Sequence, residues 1–217
     1  MKTMNVTRCL GVAALVLSSL TVASNAAAAP VDNPGTFELT PAPNAPVLEF
    51  ASGQHSIINW SGTAGLKIPL DSAGTIDTQN ASAWYETEDI GTVGPYPHVQ
   101  ARFVVLADGI SGTINAAKGH ADIQLTAYVE FTGPGHCLTK PFTVPLKTYD
   151  VYPRAGEGYI TELSMTGEVV IPNVVEDSQC SATVASYLDG YLRLGYDAQP
   201  ATVWIYRAKF DHDVKGG

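Results

Sequence analysis

The sequence predicts an all-β fold, mainly an antiparallel β-sandwich, with one short helix near the C-terminal third. Three observations carry this reading: a two-residue hydrophobic period in the long segments, Gly and Pro punctuation between them, and one late segment with helical spacing. In HADIQLTAYVEFT, Ile123, Leu125, Ala127, Val129 and Phe131 alternate with Gln124, Thr126, Tyr128 and Glu130. Successive strand side chains point to opposite faces, so this pattern gives one dry face and one wet face. TELSMTGEVVI repeats it over Leu163, Met165, Gly167, Val169 and Ile171, and HVQARFVVLA over Val99, Ala101, Phe103 and Val105. No strand–helix–strand rhythm appears, so a parallel sheet is not expected.

Taken in chain order, residues 1–28 read as a signal peptide. Lys2 and Arg8 form a basic start, Leu10 to Val22 is an apolar run, and small residues follow from Ala23. Ala26-Ala27-Ala28 fits the small-residue cleavage rule, and a cut after Ala28 keeps Pro30 off the new N-terminus. The run is shorter than the roughly 20 apolar residues of a membrane span. The mature chain is expected to be exported, soluble and free of a membrane span. Residues 29–46 form a Pro-rich extended lead-in, with an edge strand expected near Thr36 to Thr40. A single β-sandwich domain is expected over 47–217.

Within that domain the shorter apolar alternations are Leu66-Ile68-Leu70, Ile110-Gly112-Ile114 and Phe142-Val144-Leu146. Expected turns fall at Ala107-Asp108-Gly109, Lys118-Gly119, Gly133-Pro134-Gly135 and Ala155 to Gly158. In ATVWIYRAKF both faces are apolar, so that strand should be central or covered. Val184, Tyr187, Leu188 and Tyr191 recur at helical spacing, which predicts a helix capped by Asp177 or Ser178 and stopped at Gly195.

Cys9 leaves with the signal, which leaves Cys137 and Cys180. Two cysteines in an exported chain read as a disulfide. Closing a loop of this length stabilises by at most on the order of 4 kcal/mol in the chain-entropy model. His136 beside Cys137 would otherwise suggest a nucleophile and base, or two metal ligands. A thiolate in either role would leave Cys180 without a partner.

Charge excludes some partners. The chain carries −9, and −11 once Lys2 and Arg8 are removed. Nucleic acid is not expected, because binding it requires clustered cations. The stretch GEVVIPNVVEDSQCSATVASYLDGYL resembles small secreted proteins of uncharacterised function from high-GC Gram-positive bacteria. The resemblance covers the last third of the mature chain, implies export, and transfers no catalytic residue.

Local chemistry is sparse. Hydrolase, zinc-protease, phosphate-loop and dinucleotide motifs are absent from the sequence, and no cofactor is expected. His120 with Asp122, and Asp211-His212-Asp213, have a spacing used by metal sites but read as surface residues. The richest segment runs from Trp84 to His98. It gathers Trp84, Tyr85, Glu86, Glu88, Asp89, Tyr96 and His98 among turn residues. Tyr96 and one of Trp84 or Tyr85 are expected to be exposed, and the other ring to lie in the core. This makes the segment a candidate contact surface for an envelope protein or glycan. The function expected is therefore binding without catalysis. The alternative is a secreted glycan hydrolase using Glu86 or Glu88 as acid or base.

Overall fold

The computed structural model describes residues 35–39, 45–59, 65–154, 159–196 and 198–217. The signal peptide, most of the Pro-rich lead-in and the turn expected at Ala155 to Gly158 lie outside the described residues. The chain is mainly antiparallel β with one helix in its C-terminal third, as the sequence predicts. The strands are β1 (Thr36–Leu39), β2 (Ala45–Glu49), β3 (Ser56–Asn59), β4 (Gly65–Pro69), β5 (Ser82–Trp84) and β6 (Glu88–Asp89). Then come β7 (Gln100–Asn115), β8 (His120–Thr132), β9 (Cys137–Leu138), β10 (Phe142–Arg154), β11 (Tyr159–Val169), helix α1 (Ala182–Leu192) and β12 (Ala201–Lys215).

All the named strands belong to one sheet, in the order β5-β4-β1-β12-β11-β10-β8-β7-β6, with every pairing antiparallel. The sheet is nearly closed. Beyond β4, the segment around Thr75 bridges Leu70 on one side and Thr113 of β7 on the other. The other half of β12 pairs β2, which pairs β3. His55 then reaches the Ile90 carbonyl at 3.0 Å, next to β6. The concave side is filled by the alternating residues read from the sequence. Phe103, Ile123, Leu125, Val129, Phe131, Val144, Leu146, Leu163 and Met165 are all buried. Phe50 packs on Phe131, and Phe103 on Phe142. The interior is thus a packed apolar core.

Three expectations change. β1 is no edge strand: it pairs β12 on one side and β4 on the other. Ala107-Asp108-Gly109 does not turn the chain. It forms a bulge inside β7, with Asp108 at φ 59° and a register shift between Val105 and Ile110. A left-handed residue suits a bulge as well as a turn, and only the partner strand decides between them. The helix starts later than expected. Ser181 is its N-cap, accepting from Val184 N, while Asp177 accepts from the backbone N–H groups of Gln179 and Cys180 in the turn before it.

Lys118-Gly119 does turn the chain, through a short 3₁₀ segment with Gly119 left-handed at φ 60°. Cys137 and Cys180 meet as a disulfide, with Cα atoms 4.9 Å apart. It fastens the approach to α1 onto β9, which pairs β8. Val175 N donates to Leu138 O, and Val174 N to the Asp189 carboxylate of α1. These bonds hold the helix against one end of the sheet.

Candidate functional site

The segment from Trp84 to His98 is divided between two places. Trp84 ends β5 opposite Gly65 of β4. A Cβ on Gly65 would lie 1.9 Å from the Trp84 ring, so the ring rests on the glycine backbone with its other side toward solvent. Tyr85 turns inward, as one of the two rings was expected to. It meets Phe103 edge-on at 5.3 Å, and burial pushes its phenol pKa up. Glu86 is exposed on the link to β6, and Glu88 is half-buried in β6 opposite Ala101. The two carboxylates are neighbours along one short connection rather than opposed across a cleft, and they line none of the grooves described below.

Asp89 and His98 form an exposed pair, Oδ2 to Nδ1 at 2.9 Å. The hydrogen bond from His98, and then that from Gly91 N, holds the Asp89 carboxyl below its ordinary value. His98 has φ 54°, the left-handed region that few non-glycine residues adopt. Tyr96 ends a tight turn in which Val93 and Tyr96 exchange backbone hydrogen bonds. Its ring is half-buried, not exposed as expected, because α1 covers one side. It meets Tyr187 edge-on at 5.8 Å, and Tyr187 is followed by Tyr191 at 6.3 Å. Gly94 permits this approach: a Cβ there would lie 2.8 Å from Tyr187 and 3.0 Å from Tyr191.

Tyr187 and Tyr191 are therefore the rings that the sequence reading missed. Helical spacing groups both with Val184 and Leu188 on one face. The buried stripe of α1 is instead Val184, Ala185, Leu188 and Leu192, and the tyrosines lie on its exposed flank. The polar stripe Ser186 and Gly190, four residues apart beside them, was the available signal. Together with Ser52 and Gln54 from the β2–β3 hairpin and Arg193 at the helix end, these residues line an open groove of about 400 Å³.

A second aromatic row lies on β10 and β12. Tyr149 meets Trp204 edge-on at 5.3 Å, and Trp204 stacks on Tyr206 at 5.5 Å. Arg207 sits 4.5 Å over Tyr152. Tyr149 and Tyr206 cover Trp204, which supplies the cover expected for the doubly apolar strand, while Tyr149 itself is exposed. Among the described residues Trp204 Nε1 has no hydrogen-bond partner.

His136 does not serve a thiolate, since Cys137 is in the disulfide. Its Nε2 lies 2.7 Å from Glu130 Oε1 and its Nδ1 2.8 Å from Gln179 Oε1. Arg102 donates to the other Glu130 oxygen. Hydrogen bonds to Glu130 and then to Gln179 hold the imidazolium above its ordinary pKa. Burial pushes the Glu130 carboxyl up, but the bonds from His136 and Arg102 more than offset it, so it sits below its ordinary value. Thr87, Gln100, Arg102, Glu130 and Thr132 line a smaller groove of about 250 Å³.

His120 and Asp122 are exposed on β8, and the side chains of Asp211, His212 and Asp213 lie outside what the structure describes. Among the described residues no three His, Cys, Asp or Glu side chains come together as a metal site. Among them, too, no helix is long and apolar enough to cross a membrane. No family model matches the chain, and neither a curated protein nor a solved structure matches it.

Proposed function

We propose that the protein is an exported binding protein without catalytic activity, and that it contacts an envelope protein or glycan through the Tyr96, Tyr187 and Tyr191 surface. The N-terminal signal pattern and the disulfide support export. The observation that carries the binding reading is the placement of Tyr187 and Tyr191. Both are exposed, at 38% and 51%, on the rim of a groove, although the helix that bears them has a separate and complete buried stripe. Exposed aromatic side chains beside a groove supply large contact area at low entropic cost, which is why such rings dominate recognition surfaces. Trp84, Glu86, Glu88 and His98 belong to the wider candidate surface, and Tyr85 supports it from the core.

The test is association of the purified mature chain with isolated cell envelope. Tyr191→Ala is expected to weaken that association by about 1 to 3 kcal/mol, the usual range for an exposed anchor. Its melting temperature should match the parent's. Equal envelope binding by parent and variant would remove the tyrosine surface from the reading.

A further inference from the structure

Gly190 and Arg193 stand where local chain energetics would place other residues. Gly190 lies inside α1, and glycine is the least favoured residue there apart from proline. A Cβ at Gly190 would meet nothing within 4 Å, so internal packing does not call for a glycine. Arg193 closes the helix in the left-handed conformation, φ 56° and ψ 46°, where glycine is the favoured residue. The helix alone would prefer alanine at 190 and glycine at 193. Both departures line the same groove. Local rules broken together at one place mark a functional site.

The lining indicates what the groove takes. Tyr187 and Tyr191 offer ring surface. Ser52, Gln54 and Ser186 offer hydroxyl and amide groups that donate and accept. Gly190 leaves helix backbone uncovered at the floor. Among the described residues Arg193 is the one charged lining residue, a cation on a chain of net charge −9. Its Nη1 donates to Gln199, which leaves further donors of the guanidinium. Aromatic faces, hydroxyl-matching groups and a single guanidinium suit a pyranose that carries a carboxylate. The groove volume of about 400 Å³ falls in the range of small-ligand sites.

We propose that the groove between the β2–β3 hairpin and α1 binds an acidic saccharide. Tyr187 and Tyr191 pack on the sugar, Gly190 admits it to the helix surface, and Arg193 pairs with its carboxylate. This rests on the tyrosine-surface reading and names its ligand class.

The test titrates the full mature chain with tetragalacturonate and with neutral galactotetraose, beside the envelope-association assay. The uronate is expected to bind at least about tenfold more tightly than the neutral sugar, a gap that one paired charge supplies. Gly190→Ala should raise the melting temperature yet weaken uronate binding about tenfold or more. Arg193→Gly should keep or raise the melting temperature and erase the preference for the acidic sugar. A purely structural role for these residues cannot yield more stable variants that bind less. Binding of neither sugar, or unchanged binding by Gly190→Ala, overturns the ligand class. If Tyr191→Ala still loses envelope association in that case, the contact surface stands and only its ligand was misassigned. If that association is also unchanged, both fail.

Discussion

Both ring nitrogens of His136 face oxygen acceptors, which only the doubly protonated ring satisfies by donating from each. Its folded pKa therefore lies above the unfolded value, and the folded chain binds more protons than the unfolded chain between the two. The stabilisation is complete below about pH 6.5, the ordinary histidine value, and is lost as pH rises through the raised folded value. Glu130 acts in the opposite sense: its lowered pKa favours the fold above the ordinary carboxylate range and loses that contribution on acidification. Melting curves from pH 5.5 to 8.5 should show the parent losing stability through the upper part of this range, with His136→Gln flattening that loss. Identical profiles would place the titration elsewhere. The disulfide was legible at the residue scale because setting Cys9 aside with the expected signal peptide leaves Cys137 and Cys180 and one intramolecular pairing. The histidine was not, because its partners lie 6 and 43 residues away and only the fold brings them together.

The helix depends on attachments beyond its own sequence. Ser181 caps it, the Cys180 disulfide fixes its approach, and Asp189 accepts from Val174 N. Burial raises the Asp189 pKa, so this carboxylate is held at some cost in order to anchor the 174 loop. Cys180→Ser should destabilise the chain by about 2 to 4 kcal/mol in denaturant titration, through the freed loop and the loosened approach to α1. A loss below about 0.5 kcal/mol would show that the hydrogen bonds alone hold the helix. The long strands β7, β8, β10, β11 and β12 were legible because their period of two, with one face buried, leaves little freedom of register, whereas β2, β3, β5, β6 and β9 are short and carry no such pattern. The boundary of α1 was not, because Asp177, Ser178 and Ser181 all offer capping oxygens and the disulfide helps decide among them. The tyrosines of the groove were misplaced for a related reason. Helical spacing groups Tyr187 with Leu188, and only the direction of the sheet separates the covered flank from the open one.

At the scale of the whole molecule the strands share one nearly closed sheet with an apolar interior. On β8 its outer side carries polar residues such as Asp122 and Gln124, and on β10 and β12 the row of Tyr149, Trp204 and Tyr206. The pattern showed two faces but gave no sign that they would share one ladder. Closure depends on the bulge in β7, on the short bridges at Thr75, and on β12 meeting two different strands on one side, none of which a periodicity records. That last arrangement has a consequence for how the chain is made. β12 hydrogen-bonds β11 along one edge and both β1 and β2 along the other, so the final strand completes what the earliest ones began. A nascent chain delivered only as far as Pro200 has three strand edges waiting, and long-range pairing of this kind forms slowly. It should remain loose, without a cooperative melting transition, whereas the chain through Gly217 melts in one step. A sharp transition in the shortened chain would show otherwise. A sheet whose central strand follows in sequence every neighbour it joins becomes a cooperative unit only when β12 is in place.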